Sequence, residues 1–394
     1  MKDFIRGFCN VVIVFSILFF TAYISFFTDI PSGASNEIKQ KIQESKYEFV
    51  DYSSNFIIND LTIKMNTYYY EKLTDDQKKI YASIANGVAN YRDEFSVRDY
   101  SPTDKDVFAN ETSFAIEAFI NDHPEVFYLK SEYSTYIVNG LGENIGYVKL
   151  NYTEDSEEKI QEKYEQIKAK VQEYVDEFSL LETQYEKEIS VHDKLAYSVE
   201  YSKLDELPRK YHTIEGTLIE GIGVCDSFSK SLQIIYSKLG IDSIIVLGET
   251  SGGPHAWNLV RLDDGWYHVD LTSSRSIMDD VGIVNHAYFN VSDGRIKLTN
   301  SIDTPELLPE ANATKYYYYS CNDLIVQERD IRSRLQEIYD RDINQNYIEF
   351  YLEGDVSNSI STILTTLKNI DRSFIKDSKL YYYNIQNAIV VPKN

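Results

Sequence analysis

The sequence predicts a mixed α+β protein, and three patterns carry the prediction. Phe228, Leu232, Ile235, Tyr236 and Leu239 recur at i, i+4, i+7, i+8 and i+11, one face of a helix, and Gly240 supplies its stop. The runs from His255 to Leu262 and from Trp266 to Leu271 are β-rich and flank Asp263-Asp264-Gly265. That tripeptide is a strong reversal signal, so the two runs read as antiparallel neighbours. Helix-like and strand-like segments alternate on both sides of this centre.

In chain order, Lys2 and Arg6 precede Val11 to Phe27, seventeen residues interrupted only by Ser16, Thr21 and Ser25. As a helix this run spans ~25 Å, just short of a ~30 Å hydrocarbon core. Residues 1–35 are read as a signal-anchor, or as a signal peptide cut near Ala34, with the bulk of the chain outside the cell. Residues 36–187 read as a mixed extension. Glu71 to Glu94 looks helical, Phe127 to Tyr152 alternates like strands with turns at Asn139-Gly and Gly142, and Ser156 to Phe178 is a charged amphipathic helix. Asp122-His123-Pro124 is a turn in which His123 has no evident partner.

Residues 188–300 form the predicted core. His192 and Asp193 sit in a helical stretch there, and His286 begins a strand run to Val291; all three read as supporting residues. Thr304-Pro, Leu308-Pro and Asn312-Ala-Thr mark a linker into residues 301–394. Beyond it the pattern predicts a helix over Asn322 to Tyr339, a strand over Tyr347 to Leu352, a helix over Ser357 to Ile370 and a strand pair over Leu380 to Val391. This is a small α+β module without a catalytic signature, suited to binding a partner or cell-wall polymer or to shielding the core.

Cys225, His255 and Asp270 stand at the edges of the central elements. Together they are the parts of a thiol acyl-transfer centre: a nucleophile, a base for its proton and a carboxylate to orient the base. Taken singly, each has a bland role as a small core residue, a strand histidine or a turn former. Their combination with a helix and a hairpin points the other way. Cys225 opens the predicted helix, where unpaired N–H groups and the macrodipole favour a thiolate. Gly221 and Gly223 permit a tight entry turn and close approach of a substrate backbone. A backbone N–H at or just after Cys225 is the natural oxyanion donor. Gly223, Asp226, Trp257 and Ser273 are the cleft candidates.

Residues 188–292 resemble the transglutaminase-like superfamily. The resemblance rests on His192-Asp-Lys-Leu, Thr217-Leu-Ile-Glu-Gly-Ile-Gly-Val-Cys-Asp-Ser-Phe-Ser, Leu239-Gly-Ile, His255-Ala-Trp-Asn, Trp266-Tyr-His-Val-Asp-Leu-Thr and Tyr288-Phe-Asn-Val-Ser-Asp. It implies a papain-like core with the nucleophile helix packed on an antiparallel sheet, an N-terminal α/β extension and a small C-terminal α+β module. Cys225 would be nucleophile, His255 base and Asp270 orienting acid. Two departures stand out. Ser227 replaces the usual Gly, which predicts a narrower or more polar cleft floor, and Ser273 replaces the usual Trp, removing an aromatic wall.

A net charge of −23 on 394 residues excludes nucleic acid as a partner and leaves the N-terminal segment as the one predicted membrane contact. Three cysteines make no disulfide framework: Cys9 lies by the apolar run, Cys225 belongs to the triad, and Cys321 is expected to be buried. No metal-ligand spacing, Gly-rich phosphate loop or repeat is legible, so neither metal nor cofactor is predicted. The 33 tyrosines read mainly as half-buried strand residues. The expected substrate is a protein or peptide, a cell-wall peptide among the candidates. Hydrolysis of an amide through a thioester is placed ahead of transamidation to an amine, and a non-catalytic surface module is the competing class.

Overall fold

The computed structural model describes residues 58–61, 67–139, 143–153, 155–204, 207–341, 343–375, 380–383 and 387–393. The apolar run Val11 to Phe27, the cleavage candidate at Ala34 and Cys9 lie outside them. Among the described residues no helix is long and apolar enough to cross a membrane. The chain divides into two compact units: residues up to 173 with 213–219, and residues 174–212 with 220–394.

The first unit contains α1 (Tyr68–Lys72), α2 (Asp75–Ala89), β1 (Glu94–Ser96), α3 (Lys105–Asp122), β2 (Leu129–Asn139), β3 (Asn144–Tyr152) and most of α4 (Glu157–Phe178). Its antiparallel sheet has the order β1-β3-β2. The single helix expected over Glu71 to Glu94 is instead α1, α2 and β1. The break comes at Thr74, whose hydroxyl accepts from Gln77 N–H while the Gln77 side chain accepts from Thr74 N–H, a reciprocal cap that starts a new helix. Buried Asp122 accepts from the Tyr69 and Tyr70 amides and the Tyr81 hydroxyl. Burial outweighs those bonds and His123, and raises its pKa to about 7. His123 does have a partner: its Nδ1 lies 2.9 Å from the buried Glu125 carboxylate.

The second unit opens with α5 (Gln184–Ser198), β4 (Glu200–Tyr201), β5 (Ile222–Gly223) and α6 (Cys225–Lys238). Then follow β6 (Asp242–Thr250), β7 (Gly253–Leu262), β8 (Gly265–Val269), α7 (Leu271–Ser274), α8 (Met278–Val281), α9 (Asp293–Ile296) and β9 (Ser301–Ile302). The sheet order is β8-β7-β6-β9, antiparallel throughout, with α6 packed on β6 and β7. Gly265, at φ 142°, takes the left-handed backbone that the β7–β8 reversal needs. The periodicity marked one apolar face on α6, yet every residue from Cys225 to Tyr236 is buried. Its polar face goes inside because it is bonded: Ser229 Oγ donates to Cys225 O (2.8 Å) and Lys230 Nζ to His212 O (2.9 Å).

The unit closes with α10 (Tyr318–Cys321), β10 (Ile325–Gln327), α11 (Ile331–Arg341), β11 (Tyr347–Glu353), α12 (Val356–Ile370), β12 (Tyr381–Tyr383) and β13 (Ala388–Pro392). These strands form a second sheet in the order β10-β11-β13-β12. The helix expected from Asn322 is therefore corrected. Asp323 adopts φ 51°, and Ile325–Gln327 pair in parallel with Tyr351–Glu353, so tertiary pairing overrides local propensity. Cys321, expected buried, is exposed at the end of the four-residue helix α10. His286–Val291 is not a strand: Asn290 turns at φ 55°, and only Val291 bridges, to His268. Residues 301–394 share one compact unit with the core, and Ile277 and Ile283 pack with Val390 of β13.

Candidate active site

Cys225 is the first residue of α6 and is 7% exposed. The helix start is fixed by Ser227, whose hydroxyl accepts from Val224 N–H (3.0 Å) and donates back to Val224 O (2.9 Å). Ser227 is fully buried and caps the helix instead of flooring a cleft. The first helical bond runs from Phe228 N–H to Val224 O (3.1 Å), so the amides of Cys225 and Asp226 have no helical acceptor. Asn258 on β7 locks the helix to the sheet by donating to Ser229 O (3.0 Å) and Ser243 Oγ (3.2 Å).

His255 lies on β7, and Asp270 directly follows β8. Pairing runs from Leu262↔Gly265 to Asn258↔Val269, which sets Asp270 diagonally from His255. His255 Nε2 stands 2.8 Å from Asp270 Oδ2. Asp270 also caps α7, accepting from Ser273 N–H (2.9 Å) and Ser273 Oγ–H (2.7 Å). Burial opposes its charge, but His255 and Ser273 hold its pKa below the ordinary value. For His255 burial likewise favours the neutral ring, yet the Asp270 carboxylate and then Cys225 outweigh it and push its pKa up to about 10. With Nε2 engaged by Asp270, Nδ1 is the nitrogen left for the thiol.

Residues 172–271 match the model of the transglutaminase-like superfamily. This stretch is a transglutaminase-like domain. No curated protein matches the chain. Among solved structures, one described as a TGase is 13% identical over 36% of this chain and 50% of its own, with a TM-score of 0.27. A proposed cysteine protease from Cytophaga hutchinsonii is 17% identical over 33% of this chain and 53% of its own, with a TM-score of 0.24. A proposed protease from Parabacteroides distasonis is 8% identical, with 39% and 41% covered and a TM-score of 0.23. The chain thus spans about half the length of the solved structures it matches.

The cleft candidates of the transglutaminase-like domain take several roles. Gly223 pairs with Tyr201 in the two-residue ladder β4–β5. Asp226 is buried against His212 Nδ1 (3.2 Å) and Lys230 Nζ (3.6 Å). Trp257 is 1% exposed and stacks beside His255, ring centres 5.8 Å apart. Ser273 holds the Asp270 carboxylate. The sequence reading missed His268, which accepts from Trp257 Nε1–H at Nδ1 (2.9 Å) and reaches Asp293 through Nε2 (2.9 Å). That bond fixes its tautomer and braces the indole beside His255. The alternation Trp266-Tyr-His-Val gave no signal for it, because Tyr267, His268 and Val269 are all buried, so both faces of the strand end are covered.

A second polar network in this unit starts where α7 ends. Ser274 Oγ donates to Asp270 O (3.1 Å) and meets His192 Nε2 (3.0 Å). His192 Nδ1 lies 2.8 Å from Asp193 Oδ1, and that oxygen lies 3.1 Å from His286 Nε2. His286 Nδ1 then meets Glu349 Oε2 of β11 (2.9 Å), and Tyr319 donates to Oε1 of the same carboxylate (2.6 Å). Burial keeps His192 neutral, whereas Asp193 and Glu349 overcome it at His286 and raise that pKa to about 10. His192, Asp193 and His286 offer ligand atoms within 4.8 Å of one another, the group among the described residues that could hold a metal. Asp193 Oδ1 stands at direct hydrogen-bond distance from both rings, and each ring's other nitrogen is bonded, so hydrogen bonds within the protein suffice to satisfy the set.

Proposed function

We propose that this chain is a transglutaminase-like cysteine enzyme acting on amide bonds of a protein or peptide. Cys225 attacks the carbonyl carbon, its proton having passed to His255, and the leaving amine takes a proton from His255 to leave a thioester. Water then releases the acid; a lysine-type amine would instead give a crosslinked product. Hydrolysis is the preferred outcome. The observation that carries the reading is the buried 2.8 Å contact of His255 Nε2 with Asp270, which leaves Nδ1 for the thiol at the start of α6. We also propose, from the sequence, that Val11 to Phe27 tethers the chain to a membrane with its bulk outside.

The test is iodoacetamide labelling of wild type, Cys225→Ala and His255→Ala across pH 5 to 9, with the site read by mass spectrometry. Fast labelling of Cys225 below pH 7, slowed at least tenfold in His255→Ala, supports the proposal. Labelling near the ordinary thiol pKa of ~8.5, indifferent to His255, would leave a surface binding module as the better account.

A further inference from the structure

Cys225 and the start of α6 supply backbone donors, but no side chain named so far serves the substrate's carbonyl oxygen. Tyr201 is placed to do so. Its strand β4 pairs in parallel with β5, setting Tyr201 opposite Gly223, two residues before Cys225. The pairing is fixed by Glu200 N–H to Gly221 O and Ser202 N–H to Gly223 O, both 2.8 Å. Its ring lies nearly parallel to Phe228, centres 6.3 Å apart and planes 11° apart, and Phe228 is one helical turn beyond Cys225. The ring is therefore held by packing, with its hydroxyl free of that task.

Among the described residues no hydrogen bond engages the Tyr201 hydroxyl. Burial, then Cys225, Asp226 and Asp270, raise its pKa, so it keeps its proton and stays a donor. A protonated phenol within electrostatic reach of Cys225, without a protein acceptor, can give its hydrogen bond to an acceptor that arrives with the substrate in place of water.

We propose that the Tyr201 hydroxyl donates to the carbonyl oxygen of the substrate as Cys225 attacks, alongside the N–H groups at the start of α6. The inference rests on the acyl-transfer reading of Cys225. As sulfur bonds to the carbonyl carbon, the C=O π pair moves onto oxygen and Tyr201 O–H bonds to that oxyanion without giving up its proton. Collapse restores C=O and breaks the bond to the leaving group.

Tyr201→Phe keeps the ring and its packing while removing the hydroxyl, and two reagents separate its roles. p-Nitrophenyl acetate acylates Cys225 through an oxyanion and releases p-nitrophenolate; iodoacetamide alkylates the same sulfur by displacing iodide, with no oxyanion formed. The expected result is alkylation within twofold of wild type and acylation slowed about 100-fold, the scale of a lost oxyanion donor. Acylation at the wild-type rate overturns the proposal, as does equal slowing of both reactions, which would mean that the hydroxyl supports the thiol. Wild type that alkylates but never yields acetyl-Cys225 overturns the acyl-transfer reading itself, and this inference with it.

Discussion

Asp270→Asn removes one charge and nearly preserves shape. In wild type the Asp270 carboxylate holds the His255 pKa at about 10 against burial, so at pH 8 about 0.99 of the rings are protonated. Without that charge only Cys225 still opposes burial. With the pKa back at the ordinary ~6.5 of a free imidazole, the protonated share at pH 8 is about 0.03, a loss of about 30-fold in the imidazolium beside Cys225. At pH 5.5 the variant at pKa 6.5 is still about 0.9 protonated, so the two proteins should nearly agree there. The assay is the rate of Cys225 alkylation by iodoacetamide from pH 5.5 to 9, with folding checked by circular dichroism. The wild-type to variant ratio should climb from pH 5.5 to about 8 and stop climbing where an unassisted thiol ionises, at ~8.5. A ratio flat across that range would refute the electrostatic coupling of Asp270, His255 and Cys225.

Three further outcomes follow from the same networks. Glu349→Gln leaves buried His286 with one counter-charge and should cost about 3 kcal/mol, read by urea unfolding, as expected when one partner of a buried pair is removed. Both His255 and His286 have raised pKa values in the fold, so their stabilisation is fully present below about pH 6.5 and is lost as pH rises towards 10. The thermal midpoint should therefore fall between pH 7 and 10, and less steeply in Glu349→Gln; a midpoint constant over that interval would contradict it. Because hydrogen bonds suffice to satisfy the His192–Asp193–His286 set, dialysis against EDTA should leave the midpoint and Cys225 alkylation unchanged; a midpoint drop reversed by zinc would show that the set is a metal site.

The local parts of this protein were legible in its residues. The apolar spacing after Cys225 produced α6, and Asp263-Asp264-Gly265 produced the β7–β8 hairpin, because helix period and turn chemistry act over a few neighbouring positions. The three motifs around Cys225, His255 and Asp270 located the transglutaminase-like domain for the same reason. Pairing over distance was decided only by the folded chain. It turned Ser227 into a helix cap and Ser273 into a partner of Asp270, though both read as cleft residues. It drew Ile325–Gln327 out of a predicted helix into a ladder with β11, and it set Tyr201 opposite Gly223. Glu349 could not be foreseen at all. Its worth as counter-ion to His286 depends on burial and on the chain folding back across a separation of 63 positions, and neither is written in the spacing of either residue.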